Sequence, residues 1–329
     1  MSVFHGGRLD EARRLFPQAP QPWIDLSTGV SPRAWPLPHF PPEVFTRLPD
    51  ESAFAAAEDA AAAAYGVPSS RRVVAGAGAQ AFIRELPRVF PTARVGVLGF
   101  TYAEHAAQWR ASGAEVVTVE ALDELAAFDA AIIVNPNNPD GRVVAPDALA
   151  SLADRLAARG GLLVVDESFA DMTPQISLAP RAPDNAIVLR SFGKAYGLPG
   201  LRLGFAIAAP ERAERLRAAL GPWPVAGPAL ATGAAALADR GWLEDAVVAS
   251  RRSARRLDEL LASAGFAIVG GADLFRLAAR SDATEGFERL ARAGIFTRRF
   301  PERADWLRFG LPGDETQWAR LALALGRDA

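Results

Sequence analysis

The chain of 329 residues contains no cysteine. That absence removes disulfides, thiolate catalysis and cysteine-held zinc or iron–sulfur centres. Histidine is nearly as scarce: His5, His39 and His105 are the only ones and lie far apart, so no metal site is expected. Lysine is scarcer still. Of 36 Lys plus Arg, Lys194 is the one lysine. Long apolar runs are missing too, because Gly, Pro or charge interrupts each one well before membrane-spanning length. The amino terminus, MSVFHGGRLDEARRLF, lacks the apolar core of a secretory signal. A cytoplasmic protein with no membrane partner is the expectation. Neither charge dominates: the net charge is −2, and arginines scattered among acids leave no nucleic-acid footprint.

What is present is ordinary for a globular enzyme, with half the residues hydrophobic and 22% charged. Residues 1–50, rich in Pro, Gly and Trp, read as an extended arm with little regular structure that packs with a small domain. The alanine-rich run Ala53 to Tyr65 reads as a helix stopped by Gly-Val-Pro. From about Arg72 short apolar runs alternate with helical stretches. RRVVAG, ARVGVLG, AEVVTVE, DAAIIVN, GLLVVDE, NAIVLRS and RLGFAIA read as strands. Their Val, Ile and Leu do not alternate with polar residues, which suits strands buried on both faces of a mostly parallel α/β sheet. The large domain is expected over residues 51–240. Residues 241–329, with FAIVG, LFRLAA, IFTRRF and WLRFG as strands, form a small α+β domain.

The lone lysine invites two explanations. A GC-rich coding sequence depletes lysine in favour of arginine, and one survivor could be chance. The chemical alternative is that a lysine amine can lose its proton and attack a carbonyl, whereas arginine stays protonated. A Schiff-base site cannot be taken over by arginine. Other motifs bear on the choice. AGAGAQA at 75–81 follows a strand and opens a helix, as a dinucleotide fingerprint does, but the next strand ends VLGF without an acid for the ribose. The same turn suits a phosphate, through backbone N–H groups and the helix dipole, or could be a tight turn with no ligand. NPNNPDG at 135–141 ends a strand with ordinary turn chemistry. Asp166 ends the next apolar strand, where open α/β sheets bind ligands or where an Asp simply caps a turn.

Taken in order, phosphate turn, Asn-Pro turn, strand-end Asp, then Ser191-x-x-Lys194 with Arg202 eight residues on, the pattern resembles the fold-type I pyridoxal-phosphate enzymes. The resemblance covers most of the chain. It implies pyridoxal 5'-phosphate as cofactor, held by Lys194 as a Schiff base, with Lys194 later moving protons. Asp166 pairs with the pyridine nitrogen and keeps it protonated, Asn138 contacts the phenolic oxygen, and Tyr102 stacks on the ring. Backbone N–H groups of Gly78, Ala79 and Gln80, the Ser191 hydroxyl and Arg202 take the phosphate. In GIFTRRF and WLRFGLP, Arg298 and Arg308 match places that bring arginines to substrate; Arg299 faces the opposite way in an extended strand. The family's shared active sites imply a homodimer.

Within the superfamily the chain resembles the histidinol-phosphate aminotransferase-like branch, and in it the threonine-phosphate decarboxylases of cobalamin biosynthesis. FHGGRLDEARRLF resembles their His-Gly-Gly opening, so His5, Gly6 and Gly7 are expected at the substrate phosphate, and PWIDLSTGVSP resembles the following arm. Phe169 stands where the aminotransferases usually carry a tyrosine. Two positions depart from relatives: Leu48 replaces a tyrosine that crosses to the neighbouring subunit's cofactor, and Gly29 replaces an asparagine near the substrate carboxylate. The expected reaction is loss of CO2 from L-threonine O-3-phosphate. The alternatives are an aminotransferase acting on a phosphorylated amino acid or amino alcohol, a cofactor-less binding domain of the same fold, and, more distantly, a nicotinamide dehydrogenase.

Overall fold

The computed structural model describes residues 6–326. The chain divides into two compact units. The larger takes Trp35–Asn138 and Arg142–Leu243; the smaller takes the chain up to Ala34, Pro139–Gly141 and the chain from Glu244 onward.

The larger unit is built on a seven-stranded sheet. Its spatial order is Val73–Gly76, Gly204–Ala208, Ala186–Ser191, Leu162–Asp166, Ala130–Val134, Arg94–Leu98, Glu115–Val119. Only Gly204–Ala208 is antiparallel to its neighbours, so the other six strands run the same way. Alternate residues such as Val97, Ile132, Val164 and Leu189 meet Phe82, Leu86, Trp109 and Leu216 in one core. The intervening Ala131, Ile133, Leu163 and Val165 are buried as well. Two covered faces explain the unbroken apolar runs, since a strand residue of either parity must avoid water. Helix Pro146–Ala157 buries Leu149, Leu152, Ala153 and Leu156, a spacing that keeps one stripe inward. Each fully buried leucine contributes about 1.5–3 kcal/mol relative to exposure. The alanine-rich helix spans Glu51–Ala64; the Asp50 side chain accepts from Ala53 N–H at 3.0 Å and starts it.

The smaller unit holds a four-stranded antiparallel sheet in the order Arg298–Phe300, Arg303–Gly310, Phe275–Ala279, Ala267–Ala272. Ile24–Asp25 pairs in parallel with Ile295–Phe296, which fixes the early chain to this unit.

Residues 6–50, expected as an extended arm with little regular structure, carry one helix of more than a single turn. Leu9–Leu15 is a helix, with Asp10 and Glu11 in its first turn and Arg13 and Arg14 in its last. Those charges complement the helix dipole, and proline does not intervene until Pro17. The stretch is also divided between the units at Ala34/Trp35. The Trp35 indole N–H donates to Asp239 at 3.1 Å and the Trp35 backbone N–H to the Tyr196 carbonyl at 2.9 Å, both in the larger unit. Among the described residues no helix is long and apolar enough to cross a membrane.

Candidate active site

Six strands running one way end at one edge of the sheet, and the antiparallel strand begins there. That topology gathers residues far apart in sequence. Gly78 follows the first strand, Tyr102 the second, Asn138 the fourth; Asp166 and Ser191 end the fifth and sixth. Arg202 precedes the antiparallel strand, whose Gly204 is in register with both Gly76 and Ser191. The connections leaving Arg94–Leu98 and Ala130–Val134 turn in opposite directions, which opens a crevice beyond their carboxyl ends. The loops there are tied together: Asn137 Nδ2 donates to the Phe100 carbonyl at 3.0 Å, and the Thr101 hydroxyl donates to Asn137 Oδ1 at 2.5 Å. An open pocket results, and Lys194, Asp166, Asn138, Tyr102, Ser191 and Arg202 all line it.

The glycine turn is shaped for close approach. Gly78 has φ +77°, and a side chain there would strike the Arg202 guanidinium, 2.8 Å from the position of a Cβ. A Cβ on Gly204 would lie 2.5 Å from the Ala79 nitrogen. The Gly78 N–H donates to the Gly76 carbonyl at 2.7 Å. The start of helix Ala79–Val89 therefore offers the amides of Ala79 and Gln80, which have no intrahelical acceptor and could meet an anion. Arg202 itself adopts a left-handed conformation, φ 53°, with Nη1 on the Pro199 carbonyl at 3.1 Å.

Asp166 is 2% exposed. Its Oδ2 meets His105 Nε2 at 2.9 Å, and its Oδ1 accepts from the Ser168 N–H at 3.0 Å and hydroxyl at 2.5 Å. Burial alone would push this carboxyl up; the hydrogen bonds from His105 and Ser168 outweigh it and hold the pKa below the usual value. A carboxylate only accepts, so His105 carries its proton on Nε2. Lys194 lies in the single helical turn Phe192–Ala195, its Nζ 5.5 Å from the centre of the buried Phe169 ring.

The smaller unit collects most of the remaining sequence candidates around Ser27. The Gly7 N–H donates to the Ser27 hydroxyl at 2.7 Å, and a Cβ on Gly6 would lie 2.3 Å from the Ser27 carbonyl oxygen. Arg308, 6% exposed, donates to that carbonyl at 2.7 Å. Arg298 is in register with Arg308, while Arg299 pairs with Leu307 and stacks on Phe287. Gly29 is buried in the loop after Ile24–Asp25. His5 lies outside the described residues.

Sequence reasoning missed His105 and Ser168, the two residues that set the charge of Asp166. The available signals were slight: a histidine three residues after Tyr102 on a helix start, and a serine two residues after a strand-end aspartate, the spacing of a side-chain-to-backbone turn.

Similarity to known proteins fits this geometry. The chain is 44% identical to a threonine-phosphate decarboxylase of Pseudomonas aeruginosa, over 98% of this chain and 96% of that one. It is 41% identical to another of that name from a Sinorhizobium species, over 99% of this chain and 98% of that one. In fold it resembles histidinol-phosphate aminotransferase of Sinorhizobium meliloti, solved in complex with pyridoxal-5'-phosphate. That likeness has a TM-score of 0.83 at 22% identity and covers 98% of this chain and 94% of that one. The family model for aminotransferase class I and II matches residues 43–325. By that match and by its near-full-length relatives, the chain belongs to the aminotransferase class I and II family.

Proposed function

We propose that this chain binds pyridoxal 5'-phosphate at Lys194 and, as a cytoplasmic homodimer, decarboxylates L-threonine O-3-phosphate. The product is (R)-1-amino-2-propanol O-2-phosphate, for cobalamin biosynthesis. The observation that carries this reading is the likeness to two threonine-phosphate decarboxylases along almost the whole chain. The pocket suits the cofactor: a helix start beside an arginine for an anion, a charged buried aspartate, and the one lysine of the sequence.

When bound, pyridoxal phosphate supplies a carbonyl for amine condensation and an electron sink for the pair left behind by CO2. Lys194 Nζ would hold the cofactor and, as the one side-chain amine of the sequence, would move a proton at the substrate carbon. Asp166, kept charged by His105 and Ser168, holds a proton at the ring nitrogen. Ala79 and Gln80 N–H, with Gly78 giving room, Ser191 and Arg202 bind the phosphate. Asn138 orients the phenolic oxygen and Tyr102 covers a ring face.

Substrate choice is assigned to Arg298 and Arg308, together with Gly6, Gly7 and Gly29 and, by the sequence resemblance alone, His5. Loss of CO2 rather than amine transfer would depend on how the substrate carboxylate is oriented, and a second anion on the substrate would give the arginines a handle for orienting it. Incubating the purified protein with pyridoxal phosphate and L-threonine O-3-phosphate tests this. CO2 and the amino-propanol phosphate are expected; a keto acid with pyridoxamine phosphate would make the chain an aminotransferase instead.

A further inference from the structure

One group of polar side chains beside the pocket has a direction built into it. Tyr102 Oη lies 3.2 Å from Gln80 Oε1, Gln80 Nε2 lies 2.9 Å from Glu104 Oε2, and Gln108 Nε2 lies 3.2 Å from the same oxygen. Glu104 is 8% exposed and does not line the pocket, whereas Gln80 and Tyr102 do. A carboxylate offers only lone pairs, so both glutamine amides must turn their NH2 groups towards it. Gln80 is left with its carbonyl facing Tyr102, and the tyrosine hydroxyl has to be the donor. A single charge therefore sets the orientation of every proton along the chain of bonds.

We propose that Glu104 is a positioning residue that acts through Gln80 to fix Tyr102. The phenol is held by its own proton, its oxygen turns only lone pairs to the pocket, and the ring is kept at the angle a flat aromatic cofactor needs. The inference rests on the reading of the pocket as a pyridoxal phosphate site. Gln80 thus serves twice, its backbone amide at the helix start and its side chain as the link.

The chain has three tyrosines, Tyr65, Tyr102 and Tyr196, so fluorine NMR of fluorotyrosine-labelled full-length protein reads each one, with Tyr102→Phe assigning the signal of interest. Glu104→Gln keeps the shape but can donate as well as accept, which frees the Gln80 amide to turn. In that variant the Tyr102 signal moves or splits while those of Tyr65 and Tyr196 stay. Its pyridoxal phosphate dissociation constant rises about tenfold, because a Tyr102 that is no longer held in one orientation covers the ring less well. The exchange Gln80→Glu with Glu104→Gln moves the carboxylate to position 80, where it accepts from both the tyrosine hydroxyl and the amide at 104. The Tyr102 signal then returns towards its original place. An unmoved Tyr102 signal in Glu104→Gln, all three signals moving together, or no recovery in the exchanged pair would overturn the proposal. These signals are read without substrate, so failure of the decarboxylation reading leaves them decisive.

Discussion

At the scale of single residues, Phe169 separates two accounts of reaction choice. Its ring, 4% exposed, lies beneath the Lys194 amine. Phe169→Tyr would add a hydroxyl to the pocket wall, where the resemblance to the aminotransferases implies a donor to the phenolic oxygen of the cofactor. One neutral donor is worth about 1 kcal/mol net, somewhat less than one pKa unit. The visible absorbance titration of the bound cofactor should therefore shift by less than a unit, and the rate should change. CO2 should remain the main product, because carboxylate orientation and not this hydroxyl selects the bond. A variant that mainly transaminates threonine phosphate would show that residue 169 sets the reaction type. That Lys194, Asp166 and Asn138 line one pocket was legible in the sequence because each ends or follows a strand in a recognisable order. His105 and Glu104 were not, since an isolated polar residue on a helix gives no pattern until its partner's position is known.

At the scale of elements, the turn that follows Asp166 is held by a buried cluster. Arg190 Nη1 pairs with Glu167 at 2.8 Å and Nη2 with Asp171 at 2.5 Å, and its guanidinium sits 4.2 Å from the centre of the Tyr65 ring. Burial pushes Glu167 and Asp171 above their usual carboxylate values, while Arg190 pulls both back. A carboxyl whose folded pKa is raised favours the fold when protonated, so its contribution falls as pH rises through that raised value. Arg190→Ala leaves two buried carboxylates without their partner and should cost about 3–5 kcal/mol near neutrality. Both pKa values rise further in the variant, so its deficit should shrink from neutral to mildly acidic pH. Thermal unfolding of wild type and variant over that range checks the sign; a deficit that widens on acidification would contradict it. The strands carrying this cluster were legible as apolar runs, since burial on both faces removes polar alternation. The helix Leu9–Leu15 and the division at Trp35 were not: proline and glycine content masked the first, and the Asp239 that anchors Trp35 lies 204 residues away.

At the scale of the whole molecule, the larger unit leaves Leu37, Phe45 and Leu48 exposed in one stretch of chain, apolar surface that suits cover by a second copy. Light scattering at assay concentration should give a dimer, and an active monomer would contradict shared sites. Composition carried the most economical clue. A sequence that uses arginine almost everywhere retains lysine at the one place where six strand ends and the start of a seventh converge. Lys194→Arg keeps the charge and should abolish the visible absorbance band given by pyridoxal phosphate on binding. The most direct measurement is borohydride reduction of the loaded protein followed by peptide mapping. The account predicts cofactor fixed to one peptide, the one containing Lys194, and none in Lys194→Arg. Label on the chain's amino terminus, the only other primary amine, or an unchanged absorbance band in the variant, would contradict it.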